Sequence, residues 1–338
     1  MRIVVSGSIA FDYLMHFPGR FKEHILPENL DSLSVSFLVD EMRRGYGGCG
    51  PNIAYSLALL GERPLLVGSA GSDFGDYRAW LEGNGVDTSN VLIVPHKYTA
   101  SFFVSTDDAA SQIATFYIGA MEEADKVALG DVGVAEGDIV IVSPDKPAAM
   151  LRHAEEAKAL GARLIFDPSQ QIPRLTGSEL GQAAHGAFAL TLNEYEYALY
   201  KDKTGQTDER IRAEVEVLVV TRGERGSDIC RRGEEHSVPS ATARATGDPT
   251  GVGDAYRAGL IKGLAAGLSL PTCGRIGSLA ACFVVEQTGT QEHRFTPDEF
   301  IARYEQSFGD SMAIAQVVGV AIGDWWRVTS DGPSATID

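Results

Sequence analysis

The chain has 338 residues, of which 44% are hydrophobic and 22% are charged, as expected for a globular protein with a large buried core. Its 46 acidic and 29 basic residues give a formal net charge of -17, which argues against binding to nucleic acid or to an anionic membrane. The four cysteines and seven histidines show no metal-site or disulfide-framework spacing, and reduced cysteines favour the cytoplasm.

Short runs rich in valine, isoleucine and leucine alternate along the chain with helix-length segments. Strands are predicted at 2–7, 64–69, 138–143, 163–168, 187–193 and 216–223, and helices at 52–61 and 147–161. This alternation is typical of a mostly parallel sheet with helices on both faces. We predict one α/β domain over residues 1–324, with a buried helix at 312–323 and a frayed tail at 325–338.

Residues 32–45 and 98–118 break this alternation, because each resembles strands joined by polar turns with no helix between them. We predict that they belong to a small β-sheet lid, inserted at roughly 12–46 and 97–120, that covers a ligand. Exposed edges of the lid strands are expected to pair between subunits and give a homodimer.

The segment GYGGCG at 45–50 formally matches the GxGxxG pattern of dinucleotide-binding enzymes. Its glycines follow a lid-like strand rather than the first core strand, and Pro51 and Asn52 stand where a third glycine normally packs against the sheet. An oxidoreductase is therefore the weaker interpretation. The Walker pattern GxxxxGK[ST] is absent, which excludes an ordinary P-loop kinase.

The segment DPTGVGDA at 248–255 combines two glycines with an aspartate just before a helix that is predicted to begin near Gly253. Free N–H groups at a helix start, with no Cβ at Gly251 or Gly253, form a cradle for an anion such as phosphate. Asp254 lies in the first helical turn, where the helix dipole favours its ionised form. A proton acceptor beside an anion site predicts phosphoryl transfer to a hydroxyl, although Asp254 as a mere helix cap is the structural alternative.

This turn is similar to the second signature of the ribokinase family, also called the PfkB carbohydrate kinase family, with Pro249 where threonine is common. Four further family landmarks occur in order: GSIAFD at 7–12, GGCGPNIAYSLALLG at 47–61, NEYE at 193–196 and TRGERG at 221–226. The match covers roughly residues 3–310. It implies a ribokinase-like fold, ATP as phosphate donor with Mg²⁺, Asp254 as catalytic base, and an anion hole formed by Gly251, Val252 and Gly253.

The resemblance also implies which residues contact the phosphate donor. Asn193 and Glu196 correspond to the family's Asn-x-x-Glu motif, which acts through water on magnesium and the phosphates. Thr221 and Gly223 follow a predicted strand, at the sheet edge where open α/β folds bind ligands, although a surface turn is the alternative there. Asp248 resembles the position at which many relatives bind a monovalent cation, so K⁺ is a candidate ligand.

Within the family, the pieces at 7–21, 34–40, 112–121, 167–171 and 248–259 resemble the bacterial adenosine kinases. This implies transfer of the ATP γ-phosphoryl group to the 5′-hydroxyl of adenosine, giving AMP. The residues expected to bind this substrate are Ser8, Asp12, Ser36, Gly47, Gly48, Asn52, Phe102, Phe116, Gln170 and Gln171.

The chemistry of these side chains agrees with a nucleoside. Asp12, at the end of the first predicted strand, can accept hydrogen bonds from two ribose hydroxyls in a pocket completed by the glycines and Asn52. Phe102 and Phe116 can sandwich a flat base, and the amides of Gln170 and Gln171 can address ring nitrogens or hydroxyls. A lid core for the phenylalanines and a turn role for Asp12 are the structural alternatives.

Two other functions stay open on the sequence. One is a sugar kinase of the same family that acts on ribose, fructose or a related polyol. The other is a non-catalytic nucleoside-binding protein, because a fold does not guarantee activity. The presence of Asp254 in an intact glycine turn argues against the second function, since a pure binder needs no proton acceptor.

Overall fold

The computed structural model describes residues 1–25 and 34–319. In chain order, its strands are β1 (Ile3–Ser6), β2 (Ala10–Phe17), β3 (Glu41–Gly47), β4 (Leu65–Gly71), β5 (Val91–Val94), β6 (Ala100–Asp107), β7 (Gln112–Tyr117), β8 (Ile139–Val142), β9 (Arg163–Phe166), β10 (Ala189–Asn193), β11 (Val217–Thr221), β12 (Ser227–Arg231) and β13 (Glu234–Val238). Its helices are α1 (Cys49–Leu59), α2 (Gly75–Gly83), α3 (Pro147–Ala159), α4 (Gly177–Ala184), α5 (Glu194–Thr204), α6 (Asp208–Glu214), α7 (Val252–Ala265), α8 (Leu270–Val285), α9 (Pro297–Phe308) and α10 (Met312–Ala315).

Nine strands form one large sheet in the order β13-β12-β11-β10-β9-β8-β1-β4-β5. All pairs from β11 to β5 are parallel, and the β11-β12-β13 edge is antiparallel. Each of the six strands predicted from the sequence is present in this sheet. The mostly parallel sheet of the prediction is therefore confirmed.

Helices cover both faces of the large sheet, as the side chains of β1 show, because they point alternately to the two faces. Ile3 and Val5 pack into one hydrophobic cluster with residues of α1, α2, α7 and α8. Val4 points to the opposite face and packs with residues of α3, α4, α5 and α6. Because side chains alternate between the faces of a strand, a strand that is apolar at every position is buried on both sides.

The smaller sheet has four strands in the order β3-β2-β6-β7. It contains the two regions that broke the α/β alternation, but the strand predicted within 32–45 begins only at Glu41. Residues 34–39 lie in no strand, although their exposure alternates, and residues 32 and 33 lie outside the described residues. Alternating polar and apolar residues predicted a strand there, but no neighbouring strand pairs with this segment, and pairing is what defines a strand.

Two further predictions concern the C-terminal region. The predicted buried helix at 312–323 is wrong in its described part, because α10 ends at Ala315 and turns continue to Gly319. Gly319 has φ of +85°, a left-handed conformation that a right-handed helix cannot include. Residues 320–323 of that prediction and the tail at 325–338 lie outside the described residues. No helix within residues 1–25 and 34–319 is long and apolar enough to cross a membrane.

Candidate active site

The site is centred on the start of α7. Gly251 is the N-cap residue and has φ of +80°, a conformation that glycine adopts at little cost. No side chain among the described residues caps this helix, and the Val252 N–H makes only a 3.3 Å bond to the carbonyl of Pro249. The first amides of α7 are therefore available to an anion, which the sequence predicted to bind here.

Asp254 lies in the first turn of α7 and is half-buried. The amide Nδ2 of Asn52 donates a hydrogen bond to Asp254 Oδ2 at 2.9 Å, although the two residues are 202 positions apart. The Cys49 thiol lies close enough to this carboxylate to favour its ionised form. Residues at the start of α1 thus hold the candidate base from one side.

Burial is the largest influence on Asp254 and raises the pKa of its carboxyl above the ordinary value. The charge of Arg257, the hydrogen bond from Asn52 and the Cys49 thiol oppose this rise. The position of Asp254 in the first helical turn predicted that its ionised form would be favoured; burial instead raises the pKa of its carboxyl. A carboxylate with a raised pKa is a better proton acceptor than an ordinary aspartate.

Asp12 faces the same region. The sequence predicted it at the end of the first strand, but it lies on β2, in the smaller sheet. Strand β1 ends at Ser6, and the chain crosses Gly7–Ile9 into the smaller sheet. Burial, followed by the charges of Asp248 and Asp254, raises the pKa of Asp12 to about 6. These three carboxylates therefore share one electrostatic neighbourhood.

Gly47 and Gly48 allow backbone and side chains to approach closely. A Cβ on Gly47 would lie 2.2 Å from Asp12 Oδ2, and one on Gly48 would lie 2.4 Å from the carbonyl oxygen of Ser8. Gly48 also has φ of +92° and caps α1. The two glycines thus seat the Asp12 carboxylate beside the start of α1, together with the buried Ser8.

Phe102 lies opposite Asp12 in the β2-β6 pairing and opposite Phe116 in the β6-β7 pairing. Directly paired residues project from the same face of a sheet. The two rings therefore stand side by side on the face that carries Asp12, rather than one on each side of a bound base. Phe116 is 49% exposed, so this face offers apolar surface to a ligand.

The residues predicted to contact the phosphate donor come together at two adjacent strand ends. Asn193 and Thr221 are register partners in the parallel pair β10-β11. Asn193 and Glu196 form a capping box at the start of α5, and Glu196 also accepts a hydrogen bond from the Ser169 hydroxyl at 3.0 Å. Gly223, with φ of +57°, begins the short turn after β11.

The remaining predicted residues are more scattered. Asp248 Oδ1 accepts hydrogen bonds from the backbone N–H and the hydroxyl of Thr250, at 2.9 and 2.6 Å, which tightens the loop before α7. Gln170 is exposed, whereas Gln171 is buried and its Oε1 has no hydrogen-bond partner among the described residues. Ser36 is exposed on the unpaired segment 34–39.

Arg257 was not predicted as a site residue from the sequence. It lies one turn after Asp254 in α7. Its guanidinium is buried and donates to Asp167 Oδ1 at 2.7 Å, with a second contact to Asp167 Oδ2 and one of 3.9 Å to Glu196. Burial disfavours its charge, yet the carboxylates of Asp167, Asp254 and Glu196 raise its pKa. The sequence did contain a signal for this residue, because Arg257 is a charged residue within the mostly apolar helix that follows DPTGVGDA.

The position of the Arg257 side chain also explains why residue 253 is a glycine. A Cβ on Gly253 would lie 2.6 Å from Arg257 Nη1, so the guanidinium packs directly against the glycine turn. Cys49 was likewise not predicted as a site residue, although it lies inside the segment GGCGPNIAYSLALLG at 47–61. Burial, followed by the charge of Asp254, raises the pKa of its thiol well above the usual range, which keeps the thiol protonated beside the candidate base.

Phosphoryl transfer to a hydroxyl needs an anion-binding surface beside a proton acceptor, and the start of α7 carries a candidate for each. The fold and the site thus define a kinase that acts on an alcohol group of its substrate. A family model described as "pfkB family carbohydrate kinase" matches residues 10–297. The chain belongs to this family, and the family prediction from the sequence motifs is confirmed.

Several relatives cover almost the whole chain. A nucleoside kinase of Methanothermobacter thermautotrophicus is 30% identical over 310 residues, which is 91% of this chain and 96% of the relative. The structure of Burkholderia thailandensis nucleoside kinase in complex with inosine has a TM-score of 0.81 at 36% identity, covering 91% of this chain and 98% of its own. The adenosine kinase from Sinorhizobium meliloti, at 21% identity and a TM-score of 0.68 over 86% and 95% of the two chains, is similar in fold.

Proposed function

We propose that this protein is an ATP-dependent nucleoside kinase that phosphorylates the 5′-hydroxyl of adenosine, giving AMP and ADP. The observation that carries the proposal is the Asp254 carboxylate at the uncapped start of α7, in one electrostatic neighbourhood with Asp12. Two nucleoside kinases among the similar proteins support a nucleoside as acceptor. Inosine is the second candidate, because the Burkholderia kinase was solved with it.

Asp12 is the residue that we assign to the ribose. As a carboxylate it accepts hydrogen bonds only, and two vicinal hydroxyls can each donate one. Phe102 and Phe116 lie on the same face of the lid as Asp12, so they offer a single apolar wall for the purine. The unpartnered Oε1 of the buried Gln171 is an acceptor that a donor group on a ligand would satisfy.

In the proposed reaction the 5′-oxygen attacks the γ-phosphorus of ATP, and the bond between that phosphorus and the β–γ bridging oxygen breaks to release ADP. Asp254 takes the proton of the attacking hydroxyl. The free amides of Gly253 and its neighbours at the start of α7 stabilise the negative charge on the transferred group. Thr221 and Gly223, at the strand end beside Asn193, are assigned to ATP.

Mg²⁺ is proposed to act near Glu196. Both Glu196 carboxylate oxygens accept hydrogen bonds from the protein, and residues 1–25 and 34–319 contain no group of three or more acidic, histidine or cysteine ligands that could hold a metal ion. Glu196 and Asn193 therefore fit a hydrated magnesium ion, which they would contact through water rather than coordinate directly. When bound, the ion would neutralise phosphate charge. Asp248 is the proposed ligand for K⁺, which would order the loop before α7.

A substrate panel tests the proposed function. With ATP and Mg²⁺, release of ADP is expected to be at least about tenfold faster with adenosine or inosine than with ribose or fructose, because only the nucleosides fill the apolar wall of the lid. EDTA is expected to abolish the reaction, and replacing Na⁺ with K⁺ to raise it. A response to ribose or fructose alone would favour a sugar kinase, and tight nucleoside binding without ADP release would favour a binding protein.

We also propose a homodimer formed through the lid, in the cytoplasm. Six of the exposed large apolar residues lie on or beside the lid strands: Leu38, Met42, Tyr98, Ile113, Phe116 and Tyr117. The edge strand β7 is exposed along its whole length, and such an edge favours pairing with a second copy. Sedimentation velocity at micromolar concentration should show a dimer that Ile113→Lys weakens; a monomeric parent protein would contradict the proposal.

A further inference from the structure

A chain of hydrogen bonds leads from the side chain of Trp80 to the proposed base. The indole Nε1 of Trp80 donates to Gln291 Oε1 at 3.2 Å, and Gln291 Nε2 donates to Asn52 Oδ1 at 3.0 Å. Asn52 Nδ2 in turn donates to Asp254 Oδ2 at 2.9 Å. Gln291 and Asn52 are almost fully buried, with 2% and 4% exposure, so water cannot readily substitute for these bonds.

The direction of this chain is fixed at both ends by chemistry. An indole N–H can only donate, so it selects the oxygen of the Gln291 amide. The Gln291 amide nitrogen then faces Asn52, which must present its oxygen to Gln291 and its nitrogen to Asp254. At the other end an ionised carboxylate can only accept. Every donor in the chain therefore meets an acceptor, and the two amide orientations follow from these partners.

A branch of the same network reaches the acceptor side of the site. Gln291 Nε2 also donates to the hydroxyl of Tyr77 at 2.5 Å, and Tyr77 donates to the carbonyl oxygen of Gly47 at 2.9 Å. Gly47 is the glycine on which the Asp12 carboxylate rests. Gln291 thus lies at the junction between the segment that holds the base and the strand end that holds the substrate.

We propose that Gln291 is a positioning residue of this kinase, which fixes the orientation of the Asn52 amide and thereby holds Asp254 for proton transfer. The proposal rests on the proposed role of Asp254 as the base. Gln291 itself does not touch the reacting groups. It lies 239 positions from Asn52 in the sequence, in the loop between α8 and α9, and the relation to Asp254 exists only through the fold.

Replacing Gln291 with methionine tests this role, because methionine keeps the length of the side chain and removes both hydrogen-bonding functions. We expect Gln291→Met to lower kcat for adenosine and inosine about tenfold while KM for the nucleoside changes less than about twofold. Gln287→Met is the matched control, since Gln287 is exposed in the same loop; it should leave both constants unchanged. A Gln291→Met variant with parental kcat, or with equal changes in kcat and KM, would overturn the proposal.

A double-variant cycle shows whether Gln291 acts through Asn52. In an Asn52→Ala background the relay is already broken, so adding Gln291→Met should lower kcat by less than about twofold further. If the fold-changes in kcat of the two single variants instead multiply in the double variant, Gln291 acts by another route and the proposal is overturned. If Gln291→Met does not fold, Trp80→Phe keeps an aromatic ring at this position and removes the indole N–H that directs the chain, and it should lower kcat about threefold with KM unchanged; an unchanged kcat would count against the relay.

Failure of the proposal can be told apart from failure of the proposed function. Asp254→Asn is measured in the same assays. If that variant keeps parental turnover, Asp254 is not the base, whatever Gln291 does. If Asp254→Asn is inactive and Gln291→Met is fully active, the base assignment holds and the positioning role of Gln291 is wrong.

Discussion

Replacing Asp254 with asparagine is expected to lower kcat by about 10²- to 10⁴-fold, the usual contribution of a positioned general base. Asparagine has nearly the same size and can keep one acceptor oxygen toward Asn52, but it cannot take the proton of the attacking hydroxyl. Nucleoside binding should persist, because Asp12 and the lid residues are unchanged. Steady-state kinetics of ADP release, with calorimetric titration of adenosine and inosine, provide the measurement.

Asp298→Asn is the matched control for this variant. Asp298 also lies in the first turn of a helix, α9, and it is exposed. Its substitution removes a carboxylate from a helix start without touching the site, and kcat should stay within about twofold of the parent. Turnover of Asp254→Asn within tenfold of the parent protein would show that another group accepts the proton.

The same carboxylates predict the pH dependence of the parent enzyme. Asp12, with a pKa of about 6, and Asp254, whose pKa burial raises, must both be ionised to accept hydrogen bonds and a proton. As pH falls through about 6 the Asp12 acceptor is lost, and the raised pKa of Asp254 acts in the same direction, so kcat/KM should decline below about pH 6, a higher pH than for ordinary aspartates. A kcat/KM that stays level down to pH 4 would contradict this assignment.

Loss of the Arg257 side chain is expected to cost about 3–5 kcal/mol of unfolding free energy, because Arg257→Met leaves the carboxylate of Asp167 buried without its cation. Asp167 is fully buried, and Arg257 is 8% exposed. The ion pair also joins the loop after β9 to α7, with Glu196 of α5 within 3.9 Å. Urea denaturation of parent and variant measures the change through the midpoint.

Two further variants make this result specific. Arg210→Met breaks an ion pair with Glu214 in which the arginine side chain is 66% exposed, and it should cost at most about 1 kcal/mol. Adding Asp167→Asn to Arg257→Met removes the unpaired charge and should restore about 1–2 kcal/mol. A loss below about 1 kcal/mol for Arg257→Met would mean that the pair is dispensable for stability.

Local pattern was sufficient for six of the nine strands of the large sheet and for the turn before α7. The six predicted strands are apolar at consecutive positions because both of their faces are covered, and this makes them easy to recognise. Strand β5, at the opposite edge of the sheet, and strands β12 and β13 were not predicted. Strands β12 and β13 lie at the antiparallel edge and include exposed charged residues such as Arg231 and Glu234, so they lack a continuous apolar run.

Motifs at strand ends were also sufficient to predict which segments share an edge of the sheet. Asn193 was expected near the phosphate donor from the family's Asn-x-x-Glu motif, and Thr221 because it lies at the end of a predicted strand; the structure pairs the two residues directly. Parallel strands place their carboxyl ends on one side of a sheet, whereas the adjacency of β10 and β11 comes from the fold. The family followed from the same motifs.

The tertiary structure decided which side chains surround the proposed base. Asp12 belongs to the smaller sheet. Asp254 contacts Asn52 from α1, and Asn52 contacts Gln291 from a distant loop. The spacing of apolar residues along a sequence indicates only which face of each segment is buried and where the chain turns. Hydrogen bonds between residues 202 and 239 positions apart depend on how the segments pack, and packing is set by the whole core rather than by any one stretch of sequence.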